Sequence, residues 1–245
     1  MTSRKQVSSV SNTRERAFPV IEVFGPTVQG EGAMIGQLTH FVRFGGCDYR
    51  CAWCDTLYAV LPEEVRANAR HLTVEEIVNE LLKLEGVAQW VTFSGGNPLL
   101  LDLEPLVMRL RRLGYKIAVE TQGTIFRLWV NGCDHVTISP KPPSSGMKTD
   151  WQLLARFITF TAAPKSLKVV VFDEEDLDYA ARVHTMWPDV PFYLQVGNRV
   201  GQDTRDDLLK KLEWLLEQAK KVPAFHDARI LPQLHVLLYG NKRGV

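Results

Sequence analysis

"LTHFVRFGGCDYRCAWCDT", residues 38–56, decides how the rest of the chain is read. Its first part, Leu38 to Phe44, is apolar and β-branched enough to read as a strand. The strand runs without a linker into a loop carrying Cys47, Cys51 and Cys54 at spacing C-x3-C-x2-C. A closed structural zinc site takes four donors, typically from two C-x2-C pairs. Here one such pair stands with a single further cysteine upstream, and the remaining cysteine, Cys133, is remote. His40 and His71 are candidate fourth ligands, but neither has finger spacing. Three close thiolates suit three corners of a cubane iron–sulfur cluster, whose fourth iron then stays open to an outside ligand. The cysteines alone leave three readings: a cluster, a zinc site, or unliganded core thiols.

Composition narrows the setting. With 245 residues, 45% of them hydrophobic, the chain can bury a core without disulfide staples. Barrel-like α/β domains of this size are common, so a single domain is expected over residues 18–245, after a flexible leader at 1–17. The 29 basic and 28 acidic side chains leave a net charge of +1, which gives no reason to expect nucleic acid or a membrane surface as partner. Four cysteines are too few for a secreted disulfide scaffold, and clustered thiols in an intracellular enzyme read as metal-binding or redox groups. No apolar run approaches the roughly 18 residues of a membrane span. The leader has no apolar signal region, so a cytoplasmic protein is expected.

Outward from the cysteine loop, strand and helix patterns alternate. Strands are expected at Pro19–Phe24, Leu38–Phe44, Trp90–Ser94, Lys116–Thr121, His135–Pro140, Leu167–Phe172 and Phe192–Val196. Helices are expected near Thr73–Leu84, where Thr73 and Glu76 form a capping box, and at Asp102–Leu113, Glu174–Trp187 and Arg205–Lys221. The link from Gln122 to Asp134 shows no clear long helix. The expected fold is therefore α/β, a partial TIM-like barrel of mostly parallel strands. Polar and glycine residues gather after strand ends, in the cysteine loop, "SGGNP", "ETQG", "SPKPPSS" and "LQVGN". In parallel α/β architectures that edge binds ligands.

C-x3-C-x2-C with Trp53 before the last cysteine resembles the signature of radical S-adenosylmethionine enzymes, and "SGGNP" looks like their Gly-Gly-Glu-Pro element. The stretch from "PTVQGEGAMIGQ" through the cysteine loop, with "SGGNPLL", "ETQGT", "SPKPPSS", "LQVGN", "LPQLH" and the ending "GNKRGV", is similar to the 7-carboxy-7-deazaguanine synthase family from about Pro19 to Val245. The resemblance implies a radical S-adenosylmethionine core with a 4Fe-4S cluster, S-adenosylmethionine and Mg²⁺. It implies a carbon–nitrogen lyase that contracts the ring of 6-carboxy-5,6,7,8-tetrahydropterin to 7-carboxy-7-deazaguanine with loss of ammonia, on the route to queuosine. It also implies a homodimer and an electron donor such as flavodoxin or ferredoxin. Competing readings are another radical enzyme, such as a glycyl-radical activase, and a non-catalytic zinc module.

The same resemblance assigns roles. Cys47, Cys51 and Cys54 would hold three irons, and Thr56 would supply a hard oxygen to Mg²⁺; as a bare residue, Thr56 reads as a helix cap. Trp53, Cys54, Asp55 and Gly96 would meet S-adenosylmethionine, as would Ser139, Pro140 and Lys141 of "SPK" and Gln195, Val196, Gly197 and Asn198 of "QVGN". Gly95 and Gly96 lack Cβ atoms and admit a close backbone approach. Glu120 reads equally as a ribose ligand or a rim ion pair. Asn97 stands where many superfamily members carry Glu, so a carboxylate–ammonium contact is lost. Val28, Gln29, Gly30, Arg43 and Ser94 would meet the pterin, with the Arg43 guanidinium forking onto its carboxylate. Glu31 and His235 follow as further candidates, and the Val245 carboxylate would reach the substrate. Cys133 has no assigned role.

Overall fold

The computed structural model describes residues 16–245. The expected leader lies outside the described residues except for Arg16 and Ala17, and Ala17 already opens the first strand. Nine strands form one sheet: β1 (Ala17–Val28), β2 (Leu38–Phe44), β3 (Arg70–Thr73), β4 (Trp90–Gly95), β5 (Lys116–Thr121), β6 (His135–Ile138), β7 (Lys165–Val171), β8 (Phe192–Val196) and β9 (Arg229–Leu231). The order is β3-β1-β2-β4-β5-β6-β7-β8-β9. From β2 onward every pairing is parallel, whereas β1 lies antiparallel between β2 and β3. The edge strands β3 and β9 do not meet, so the barrel stays open, as the sequence pattern implied.

Successive side chains on a strand point to opposite faces, and here the two faces differ in chemistry. Val91 and Phe93 on β4, Ile117 and Val119 on β5, Leu167, Val169 and Val171 on β7, and Leu194 and Val196 on β8 belong to one buried apolar cluster. Helices α1 (Leu57–Val60), α2 (Pro62–Asn68), α3 (Val74–Lys83), α4 (Glu104–Arg112), α5 (Trp151–Phe160), α6 (Glu174–Met186), α7 (Arg205–Ala219) and α8 (Leu234–Tyr239) complete the chain. Leu106 and Leu110 of α4, Phe157 of α5, Ala180 of α6 and Leu215 of α7 join the same cluster. The residues between them on the strands, Thr92, Ser94, Thr137, Ser166, Lys168 and Gln195, are polar yet buried. Strands of a parallel sheet with two apolar surroundings read as continuous apolar runs. This alternation therefore marks the inner face as a lining, not a second core.

Local chemistry sets the helix boundaries. Thr73 Oγ1 accepts from Glu76 N, and Glu76 Oε2 accepts from Thr73 N at 2.7 Å, the expected capping box. The β5–β6 link holds only a 3-10 turn, Leu128–Gly132. Helix α5 was not expected: Asp150 caps it, accepting from Gln152 N and Leu153 N at 3.0 Å each, while Leu154, Phe157 and Ile158 pack inward. The elements α2 and β3 likewise fill a stretch to which the sequence pattern assigned nothing, whereas α1 is the short helix that a cap at Thr56 implied.

Candidate functional site

The C-terminal strand ends surround a cavity that opens to solvent. Val28, Gln29, Gly30, Arg43, Ser94 and Val245 border it, as do Cys47, Cys51, Cys54, Trp53, Asp55, Thr56, Gly96, Ser139, Lys141 and Asn198. Glu31, Glu120 and His235 complete the expected set. Pro140, Gln195, Val196 and Gly197 do not border it. Val196 belongs to the helix-facing core. Gly197 has a packing reason: a Cβ there would stand 2.4 Å from the Phe172 ring, which packs against Trp53 at 5.2 Å between centroids.

The cysteine loop is held from both sides. Its far side docks on the segment before α5: Ala52 N donates to Ser145 O at 2.9 Å, Trp53 Nε1 to Ser144 Oγ at 3.0 Å, and Tyr49 OH to Lys148 O at 3.0 Å. Its near side abuts the turn after β4. A Cβ on Gly96 would lie 1.9 Å from Gly46 O, so only glycine lets the two loops meet. The three thiols are partly buried. Burial pushes Cys51 up to about 11 and raises Cys47 and Cys54 as well, with the Lys141 cation opposing it at each. Thiols in such a place ionise against a strongly positive partner, as a bound iron centre is.

Among the described residues, no three His, Cys, Asp or Glu side chains converge where a single ion would sit. A zinc site needs that convergence, whereas cluster ligands each take a different iron. His40 and His71 do not border the cavity; His40 is buried edge-on to Tyr115, and His71 pairs with Pro19 across β3 and β1. Thr56 does precede α1, but its hydroxyl makes no capping bond. It turns to the cavity and hydrogen-bonds Cys54 Sγ at 3.6 Å, a hard oxygen beside the thiols.

Deeper in, charge is organised around Lys168, a residue missed by the sequence pattern. Its ammonium pairs with Glu31 Oε2. Gln233 Nε2 donates to Glu31 Oε1 at 2.7 Å, and Gln29 Nε2 to Glu120 Oε1 at 3.2 Å. Burial disfavours ionised Glu31, but Lys168, His235 and Gln233 outweigh it and hold its carboxyl far below the ordinary range. Burial and the neighbouring Glu31 raise Glu120. Burial disfavours charged Lys168 too, yet Glu31 and Glu120 hold its pKa up. Two carboxylates on one wall are thus pushed in opposite directions, one favoured as an anion and one whose ionisation its surroundings oppose.

Arg43 is more committed than expected. Its Nε donates to Glu22 Oε1 at 2.6 Å, and its guanidinium stands 5.6 Å from the Phe24 ring centroid. Burial works against its charge, but Tyr58, Glu22 and Asp55 outweigh it. Tyr58 OH donates to the same Glu22 oxygen at 3.1 Å, and Arg243 stacks 3.6 Å over Tyr58, pinning the chain end beside the cavity. Asn97 does not border the cavity. It is 1% exposed, and its amide bonds to Asp48, Thr121 and Thr124. Among missed lining residues, Lys168 and Gln233 carried one usable signal for Lys168 alone: a cation inside an apolar strand.

Residues 41–148 match the Radical SAM superfamily. The chain is 48% identical over 239 residues to 7-carboxy-7-deazaguanine synthase of Bacillus cereus, covering 93% of this chain and 99% of that one. It is 46% identical over 242 residues to the Bacillus subtilis protein of the same name, covering 94% and 99%. The fold is similar to the crystal structure of QueE from Escherichia coli, with a TM-score of 0.66 at 23% identity over 89% of this chain and 95% of that one.

Proposed function

The chain belongs to the 7-carboxy-7-deazaguanine synthases, radical S-adenosylmethionine enzymes, and from that membership we propose how its own residues divide the work. The reaction is the ring contraction of 6-carboxy-5,6,7,8-tetrahydropterin to 7-carboxy-7-deazaguanine. One observation carries the division: three partly buried thiols, a threonine hydroxyl and a polar, charge-sorted wall share one cavity.

Cys47, Cys51 and Cys54 hold the 4Fe-4S cluster, and Thr56 offers an oxygen to Mg²⁺. When bound, cluster and S-adenosylmethionine together supply the radical that starts the reaction. Trp53 is fixed by Ser144 and Phe172, so the backbone of Trp53 and Asp55 presents a rigid edge to the adenine. Lys141 Nζ donates to Ser139 O and Oγ at 2.8 and 3.1 Å, placing a half-buried cation and a hydroxyl on the same side. Gly96 keeps the turn after β4 low enough for a ligand to lie over it. Gln29, Glu31 and Glu120 face the pterin's donor edge, with Lys168 fixing Glu31. Arg43, anchored at Nε by Glu22, keeps its terminal nitrogens for the substrate carboxylate. Val28, Gly30, Ser94, His235 and Val245 close that end.

Radical enzymes of this kind take an electron donor, and flavodoxin or ferredoxin suits the mouth beside the cysteine loop. Among the described residues no helix is long and apolar enough to cross a membrane, and a cytoplasmic homodimer is the assembly to test by light scattering. The deciding experiment for the chemistry is anaerobic turnover with 6-carboxytetrahydropterin, S-adenosylmethionine and reductant. Formation of 7-carboxy-7-deazaguanine is expected. Deoxyadenosine without that product would leave a radical enzyme of another substrate, and colourless protein that retains zinc would end the cluster assignment.

A further inference from the structure

We propose that Asp48, Asn97, Gln122 and Thr124 form a latch that positions Cys47 before any cluster binds. The inference rests on the assignment of the three thiols to the cluster, and goes beyond it by asking what holds their loop. Asp48 follows Cys47 directly. Its Oδ1 accepts from Asn97 Nδ2 at 2.9 Å and from Gln122 Nε2 at 2.5 Å, and its Oδ2 accepts from Thr124 Oγ1 at 2.5 Å. Asn97 comes from the turn after β4, Gln122 and Thr124 from the turn after β5. One carboxylate therefore ties the cysteine loop to two strand ends. Gln122 Nε2 also lies 3.7 Å from Cys47 Sγ.

The pattern dictates residue types. An ionised carboxylate only accepts, so each of its partners must donate. Asn97 meets that demand at Nδ2, while its Oδ1 accepts from Thr121 Oγ1 at 3.0 Å and Leu99 N at 3.3 Å. A carboxylate at 97 would keep the second role and fail the first, facing Asp48 with like charge. The latch thus explains the amide at the end of "SGGN", where resemblance alone led to Glu and a ligand contact. The backbone bond from Asn97 N to Gly46 O, 2.8 Å, joins the same two loops. Asn97, which does not border the cavity, is a positioning residue: it acts through the loop, not on a ligand.

The test compares Asn97→Asp, which keeps shape and reverses one donor, with Asp48→Asn, which sets an amide nitrogen against a donor that the carboxylate accepts from. In the metal-free protein, amide hydrogen exchange over residues 47–52 is expected to rise about tenfold in each, the scale of one lost charge-assisted bond, while α6 and α7 exchange as before. After anaerobic reconstitution, each should bind several-fold less iron and give a broadened reduced-cluster EPR signal. Unaltered loop exchange in either variant would overturn the latch. Should Asn97→Asp not fold, Thr124→Val decides: it removes one donor at a half-buried position, and unchanged loop exchange there counts against the proposal. If the thiols hold no cluster, the exchange result stands and only the iron and EPR readouts disappear.

Discussion

The two faces of the one sheet are built from the same strands and obey opposite rules. Facing the helices, Phe93, Val119, Val169 and Leu194 are wholly buried and belong to one apolar cluster. Facing inward, Ser94, Lys168 and Gln195 are almost as buried, yet polar. Several polar atoms there, including Ser94 Oγ, Asn198 Oδ1 and Gln233 Oε1, have no partner within the chain. A buried polar group left alone costs about 1–3 kcal/mol. The outer face thus supplies stability, and the inner face gives some of it up so that ligands find unspent hydrogen-bonding groups.

The largest test of this contrast uses its two kinds of cysteine. Cys133 packs in the outer cluster, where burial pushes its thiol up to about 12. Cys133→Ala is expected to cost about 1 kcal/mol in chemical denaturation and leave turnover unchanged. Cys54→Ala is expected to hold its stability as apo-protein, lose the roughly 400 nm thiolate-to-iron absorption and lose turnover to background. Cluster absorption that survives Cys54→Ala and fails with Cys133→Ala would reverse the assignment of faces.

Next come changes of several kcal/mol with different signatures. Phe93→Ala should destabilise by about 3–5 kcal/mol with little change in substrate affinity for the folded fraction. Lys168→Met strands Glu31 and should cost a comparable amount, since removing one partner of a buried pair costs about 3–5 kcal/mol. It should also abolish substrate binding, and it carries a pH signature. The folded pKa of Glu31 is depressed, so the stability Glu31 contributes is fully present above its ordinary 4.5 and is lost as pH falls below it. Without Lys168 that acid limb should flatten in melting curves from pH 7 to 3. An unchanged limb would mean that Lys168 does not set the Glu31 charge.

These contrasts also show what the chain revealed before it was folded. The cysteine loop, the Gly95–Gly96 turn and the Thr73 capping box were legible because each is settled by neighbours within a few residues. Helix α5 was passed over because its Asp150 cap follows "SPKPPSSGMKT", a proline-rich stretch that reads as a turn. Lys168 was hidden inside "LKVVVF", and its partner Glu31 is 137 positions away. Its parity with Ser166 and Val170 places it inward, but parity matters only once the other strands surround it. Asn97 was located correctly and its surroundings were not, since Asp48 lies 49 positions and Thr124 27 positions distant. Spacing along the chain exposes local chemistry, whereas networks between strand ends exist only in the fold.

A smaller effect separates binding from stability at Glu120. Burial and Glu31 raise its pKa, so its ionised form costs stability above that raised value. The cost vanishes below the ordinary 4.5. Glu120→Gln should therefore melt higher than the parent at pH 8 by the equivalent of about 1 kcal/mol, with the difference shrinking toward pH 4, while turnover drops. A variant that is both less stable at pH 8 and fully active would remove Glu120 from the ligand-facing set.

The smallest effect lies at the closed end of the inner face. Thr39 Oγ1 and Thr92 Oγ1 are 2.9 Å apart, both wholly buried, and neither borders the cavity. Their polarity is satisfied by each other, with Thr39 Oγ1 also donating to His40 O at 2.9 Å when it turns that way. Thr39→Val alone leaves the Thr92 hydroxyl buried without that partner and should cost about 1–3 kcal/mol. The double change to valine keeps the volume and removes both hydroxyls, and should come within about 1 kcal/mol of the parent in urea denaturation, since removing both members of a buried pair can be nearly neutral. Turnover should be unchanged in either. If the double variant is the less stable of the two, or if it loses turnover, the inner face is not divided into a self-satisfied lower layer and a ligand-reading upper one, and the contrast between the faces has to be redrawn strand by strand.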